Sequence, residues 1–376
     1  MRSNGRSAHE GGAGTSLSRR GFLKGAASAG AIVAVGGLSA CTPESASDPD
    51  NDPAAGPNLP SWENPPDPIA DGDIVETVDT EVVIVGAGMA GMAAFMWAAE
   101  AGAGTVIIEK LDSYSGRGLD FAAIGSKVQQ AAGITIDKGR LVGDLMKASG
   151  GKARGRLIEL WADKSSEVFD RLIDMTVADG GEVVLGAGSA ASADAEDFTT
   201  RTYPTDHMFG GLVQGSLDLI GRMERAGQSA GGQSFYNTKA EQLTRDGTGR
   251  ITGVVATNPS GEYVRYNASR GVILATGDYG NNPEMVAAWC PLVEKVDGSI
   301  YPNPEGNTGD GINMALWSGG TIQPSAHAAM VHPVFGGGAM STASYMKVDG
   351  SGRRFCNEST TLPGISNMYL TSPKRI

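Results

Sequence analysis

An apolar run, Val82-Val83-Ile84-Val85, ends in Gly86-Ala87-Gly88-Met89-Ala90-Gly91, and a second run, Val106-Ile107-Ile108, ends in Glu109-Lys110. Runs of this length without polar alternation read as strands buried on both faces, and the small residues after Gly88 read as the opening of a helix. The stretch therefore predicts strand, tight turn, helix, strand, the unit that makes a parallel sheet. Each glycine has its own task. Gly86 lets the strand turn sharply, Gly88 lets backbone N–H groups approach a pyrophosphate, and Gly91 lets the helix pack close to the sheet. The unpaired N–H groups and partial positive charge at the helix start favour phosphate. Glu109 stands 23 residues after Gly86, where a carboxylate can accept hydrogen bonds from ribose hydroxyls. Together these predict a dinucleotide site formed by Gly86, Ala87, Gly88, Met89, Ala90 and Gly91, with Glu109 and its neighbour Lys110 at the sugar.

Further glycine-rich elements return to the same edge. Ser115 to Ile124 is a loop of small residues in which Arg117, Gly118, Ala122 and Ala123 mark where a backbone could approach a flat ring. Apolar positions at helical spacing from Arg154 to Asp179 predict two helices with a break near Asp163–Ser166, and a further helix spans Gly215 to Ala226. Trp161 and Phe169 in the first of these stretches read as core. Short strands at 234–236, 239–244, 251–256 and 263–266, separated by Asp246-Gly247 and Pro259-Ser260-Gly261, predict an antiparallel meander. A buried strand from Gly271 ends in Ala275-Thr276-Gly277-Asp278 and brings the chain back to the nucleotide. Thr308-Gly309-Asp310-Gly311 opens one more helix.

The amino terminus reads as an address. Arg19-Arg20 precede a weakly apolar run from Gly25 to Ala40, which has the form of a twin-arginine export signal. At 16 residues it falls short of the roughly 20 needed to cross a bilayer. Leu38-Ser39-Ala40-Cys41 resembles a lipobox, in which Cys41 would be lipidated. Residues 42–78 hold eight of the eighteen prolines and few aliphatics, the composition of a disordered, stiff tether. Formal charge is −12, and the first 40 residues carry +4, so the processed chain would stand near −16. That balance argues against nucleic acid and anionic lipid as partners. Three cysteines without paired spacing and four scattered histidines predict neither a disulfide framework nor a metal site.

The fingerprint, the acid, the Ala-Thr-Gly strand and Thr-Gly-Asp-Gly, in this order, resemble the FAD-binding subunits of the fumarate reductase and succinate dehydrogenase superfamily. The likeness covers about residues 80–376 and leans toward exported flavin reductases acting on fumarate, urocanate or ketosteroids. It implies an α/β fold: a Rossmann-like FAD-binding domain over residues 79–326, a parallel sheet with an antiparallel meander, and the start of an inserted α+β capping domain over 327–376. It implies FAD as the dinucleotide, with Thr276, Gly277, Asp278, Thr308, Gly309 and Asp310 nearby. It also implies a small alkene as substrate and a membrane or cytochrome electron donor. Met330-Val331-His332-Pro333 resembles the segment in which the family's histidine binds substrate, which implies that role for His332. Asp278 departs from the usual Thr-Gly-Gly-Phe. The family's proton donor and its two relay residues fall on Leu362, Gly338 and Ser341. A leucine cannot donate a proton, so the likeness implies a different acid or a different alkene. A ketosteroid-type dehydrogenase and a non-catalytic redox relay stay open beside the reductase. Family members continue well past Ile376, so a C-terminally shortened chain is expected. The export signal implies a lipid-anchored protein on the outer face of the cytoplasmic membrane.

Overall fold

The computed structural model describes residues 59–116, 121–186, 202–210, 212–247, 249–296 and 303–324, with 326, 327, 329, 334, 335, 338, 339, 346–356 and 368. The expected signal with Cys41, the tether as far as residue 58, Arg117, Gly118, His332, Ser341 and Leu362 lie outside the described residues. The described elements run β1 (Ile74–Val85), α1 (Met89–Glu100), β2 (Thr105–Ile108), β3 (Phe121–Ala122), α2 (Lys127–Ala131), α3 (Lys138–Ala148) and α4 (Gly155–Ala178). After them come β4 (Val184–Leu185), β5 (Asp206–Met208), α5 (Leu212–Ser229), β6 (Gln233–Phe235), β7 (Lys239–Arg245), β8 (Ile251–Thr257) and β9 (Tyr263–Leu274). Then follow α6 (Pro283–Trp289), α7 (Asp310–Trp317), β10 (Val334–Phe335) and β11 (Gly338–Ala339).

One six-stranded sheet, ordered β6-β2-β1-β9-β8-β7, organises the unit. Its β6-β2-β1-β9 half is parallel and its β9-β8-β7 half antiparallel. The expected α/β class, a parallel sheet carrying a meander, is the observed one. Two differences follow from strand pairing that local pattern does not reveal. The segment expected at 234–236 is not in the meander: β6 pairs parallel to β2, with Ile107 opposite Ser234, at the far edge. The segments expected at 263–266 and 271–277 are one strand, β9. Its first half pairs antiparallel to β8, while its whole length runs parallel to β1. The join is Gly271, whose φ of 149° suits the register shift opposite Thr80 and Val82. Beyond the reach of β8, β9 is less covered than expected, with Ile273 40% exposed.

Both faces of the sheet bury apolar side chains. On one side Ile84, Ala87, Met92, Phe95, Met96 and Ile107 pack with Leu219, Ile220 and Met223 of α5. On the other, Val83, Val85, Val106 and Ile108 pack with Val254, Tyr266 and Met314. This two-sided burial is why the strands read as unbroken apolar runs.

The break expected near Asp163–Ser166 is absent, and α4 runs unbroken from Gly155 to Ala178. Its interior has neither Gly nor Pro, and Asp163, Lys164 and Ser165 at the expected break find partners. Ser165 is buried and its Oγ accepts from Ile124 N at 3.0 Å, while Lys164 pairs with Glu167. Phe169 packs on the main core, whereas Trp161 lies in a satellite cluster and donates to Ala122 O at 3.0 Å.

The tether expected over 42–78 is corrected at its carboxyl end, where residues 59–78 are fixed to the unit. Trp317 Nε1 donates to Ser61 O at 2.9 Å, and Ser61 N donates to Glu284 Oε1 at 3.1 Å. Gln242 holds this segment twice, accepting from Ile69 N and donating to Asp67 O. Trp62 stacks on Trp289 with ring centroids 4.4 Å apart, and β1 itself starts at Ile74. Proline-rich sequence lacks apolar area of its own, and here the domain supplies it.

Candidate functional site

The nucleotide turn is set by clashes that any side chain would create. Gly86 has φ 100°, and a Cβ there would stand 2.5 Å from Ala275 O. A Cβ on Gly91 would stand 1.8 Å from Gly86 O, so only glycine lets α1 rest on the turn. Gly88 differs, because its nearest neighbour, Ser115 O, is 3.8 Å away. The protein's own packing does not require glycine there, and the position has room that the other two lack. Helix α1 starts at Gly88 with no side-chain cap and no acid in its first turn. Its opening N–H groups therefore have no side-chain competitor for a phosphate.

Glu109 is 9% exposed and bridges two elements. Its Oε2 accepts from Ala87 N at 2.7 Å and its Oε1 from Leu111 N at 3.0 Å. Ala87 thus differs from the sequence expectation: its amide is held by the acid, and phosphate falls to the amides that follow. A carboxylate has about four lone-pair positions. Two are used here, and the others suit ribose hydroxyls. Lys110 Nζ reaches across to Asp310 Oδ2 and Thr308 Oγ1, both at 2.7 Å, and Thr308 Oγ1 donates to Asp310 Oδ1 at 2.9 Å. This ties the end of β2 to the start of α7.

Thr276 meets the same helix, and Gly277 the loop just before it. A Cβ on Gly311 would stand 2.1 Å from Thr276 Oγ1, and one on Gly277 2.6 Å from Asn307 Nδ2. Gly309, with φ 79°, precedes α7 as its N-cap. Asp278 Oδ1 accepts from Gly280 N and Asn307 Nδ2, a turn-forming role that its departure from glycine makes possible. Ala122 belongs to β3 and Ala123 follows it, donating to Thr205 O at 2.9 Å. The flanking Phe121 packs on the cluster that holds Ala87 and Ala275.

A cleft at the carboxyl ends of β1 and β2 is lined by Val85, Gly86, Glu109, Lys110, Thr276, Thr308 and Asp310. Thr238, Lys239, Ala240 and Met314 complete its wall. Sequence reasoning missed the first three of these. The signal was that β7 begins one turn after β6, the strand beside the acid. A larger hollow, about 750 Å³, opens at the amino ends of the strands beside Asp79, Glu81, Arg250 and Asn267. Ligands of such sheets bind at the carboxyl ends, so size does not decide the site.

Fold and cleft together have the form of a dinucleotide-binding α/β domain. Residues 81–367 match the family described as FAD binding domain, and the chain belongs to that family. It is 27% identical over 305 residues to the probable fumarate reductase Ifc3 of Shewanella frigidimarina, covering 78% of this chain and 49% of that protein. It is 29% identical over 262 residues to the vinyl phenol reductase of Lactiplantibacillus plantarum, covering 68% and 48%. The chain thus spans about half the length of these relatives. The open conformation of a flavocytochrome c3 fumarate reductase superposes with a TM-score of 0.59 at 25% identity, covering 80% of this chain and 52% of that one. FAD is accordingly the cofactor, as the sequence likeness implied. The uncapped start of α1, the room at Gly88 and the spare lone pairs of Glu109 fit its ADP half.

Proposed function

We propose that this chain is the flavin-binding part of an oxidoreductase that reduces an activated C=C bond outside the cytoplasm. The observation that carries the reading is Glu109, held beside the opening of α1 in a family of FAD-binding domains. Two matched relatives are named for reduction of fumarate and of vinyl phenol. Both compounds carry a C=C conjugated to an electron-withdrawing or aryl group. Bound FAD supplies hydride chemistry; the chain supplies position. The α1 amides and Gly88 orient the pyrophosphate, Glu109 fixes the ribose, and the Lys110–Asp310 link holds β2 and α7 at a set distance. His332 is assigned to substrate, where an imidazole donor would stabilise developing negative charge.

Residues 79–326, with the docked segment 59–78 that includes the start of β1, are read as the FAD-binding domain and 327–376 as the beginning of a capping domain. Export by the twin-arginine signal, lipidation at Cys41 and supply of electrons by a membrane or cytochrome donor belong to the same reading. The test is anaerobic: the purified chain is reduced, mixed with fumarate, acrylate or 4-vinylphenol, and followed by flavin absorbance. Reoxidation by at least one alkene is expected, slowed in His332→Ala at unchanged FAD content. A flavin-loaded chain that no alkene reoxidises would overturn the reductase reading and leave the redox relay and the ketosteroid-type dehydrogenase.

A further inference from the structure

The tip of the α3–α4 hairpin carries a surface opposite in character to the chain as a whole. Residues 144–160, from the last turn of α3 into α4, include Lys147, Lys152, Arg154 and Arg156 against Asp144 and Glu159, a local balance of +2 in a chain at −12. Lys138 and Lys147 pair with Asp163 and Asp144, and Asp144 also accepts from Tyr203 Oη at 2.7 Å. Lys152, Arg154 and Arg156 are exposed and make no ion pair among the described residues. Gly150 and Gly151, with φ 60° and 77°, reverse the chain, so the last turn of α3 and the first turns of α4 meet at one end.

Three leucines share that end: Leu145 is 41% exposed, Leu157 60% and Leu160 57%. Exposed leucines at the same hairpin end as unpaired cations have a physical cost in water and a use at an interface. The start of α4 adds to the potential, having no side-chain cap and no acid in its first turn.

We propose that this tip docks on an anionic lipid surface, with Lys152, Arg154 and Arg156 at head-group phosphates and the leucines at the acyl boundary. Net acidity does not oppose this, because exposed charges beyond about 8–10 Å are screened at ordinary ionic strength. Only the local balance is felt, which revises the repulsion inferred from the whole-chain charge. A protein partner fits less well. Interface cores favour aromatic side chains, methionine and arginine and are depleted of lysine, whereas leucine beside both lysine and arginine is the pattern of interfacial helices. The inference does not depend on lipidation at Cys41 or on the proposed reaction.

The test uses the full purified chain, sedimented with vesicles of phosphatidylcholine alone or mixed equally with phosphatidylglycerol, at low and high salt. Binding is expected to the mixed vesicles only, and high salt should release it. Arg154→Glu/Arg156→Glu should lower the partition at least about tenfold, each cation near such a surface being worth roughly fivefold. Leu157→Ser/Leu160→Ser should weaken it as well. Bound FAD should be unchanged in every variant, which certifies folding. The amino-terminal segment is common to all of them, so the differences report the tip. Equal partition of the parent and the charge-reversed chain would overturn the proposal. So would charge reversal abolishing association with an acidic soluble protein while leaving vesicle binding intact, which would give the tip to a protein partner.

Discussion

Glu109 carries a proposed role at the ribose and an observed one in the backbone, and the second was hidden in the sequence. Spacing after Gly86 marks it as the ribose acid, yet its carboxylate also accepts two backbone N–H groups, from Ala87 and Leu111. Removing it leaves both donors without their partner in a largely buried place, at about 1–3 kcal/mol each. Glu109→Ala is therefore expected to unfold about 2–6 kcal/mol more easily and to bind FAD at least about tenfold more weakly. Glu109→Gln, which keeps one acceptor oxygen, should fall between. Urea titration and flavin fluorescence measure the two effects separately, and an alanine variant with parental values in both would remove the bridging role. The cysteines were also legible only in part. Their spacing argues against a framework, but burial decides the chemistry of Cys290, pushing its thiol up while its Sγ donates to His327 O at 3.3 Å.

At the scale of elements, local pattern located strands well and paired them less well. β1, α1 and β2 stand where the apolar runs and glycines put them. The continuity of β9 through Gly271, and the transfer of β6 to the opposite edge, depend on partners far away in sequence. Gly271 holds φ 149° where β9 passes from two neighbours to one. A β-branched side chain there is strained by about 1–3 kcal/mol. Gly271→Val should lower stability by that amount and loosen the parallel pairing above it. Hydrogen exchange read at Val272–Leu274 should speed up, while exchange at Val264–Tyr266, held by β8 as well, should change little. Uniform behaviour of the two halves would deny that Gly271 is the joint. The continuity of α4 has a similar cause: a polar cluster at 163–166 looks like a break until Ser165 is seen to serve Ile124 N.

Over the whole molecule, burial sets an alkaline limit. Tyr236, Tyr266 and Tyr279 all have phenols raised from the ordinary range near 10. Burial is the largest cause for each. Tyr236 also donates to Glu224, Tyr266 lies near Glu76, and Tyr279 is pushed up to about 12 with Cys290 and Asp278 beside it. The native state therefore keeps protons that the unfolded chain starts to lose near pH ~10. Stability is complete below that pH and falls as pH rises toward 12, since the unfolded state then binds fewer protons. Unfolding midpoints should decline over this window, and Tyr279→Phe should shallow the decline. An unaltered slope would show that Tyr279 ionises equally in both states.

What the sequence determined by itself is the chemistry that neighbouring residues can carry: the turn after the first strand, the acid closing the second, the α/β class and, through likeness, FAD. These depend on backbone sterics and on short spacings, which the order of residues fixes. Only the tertiary structure decided which amide Glu109 holds, that Lys110 spans to Asp310, that Thr238–Ala240 wall the cleft, and that leucines and cations gather at one hairpin tip. Those contacts join residues that are remote along the chain. Their energies arise when the sheet closes and water leaves, and no local pattern encodes that event.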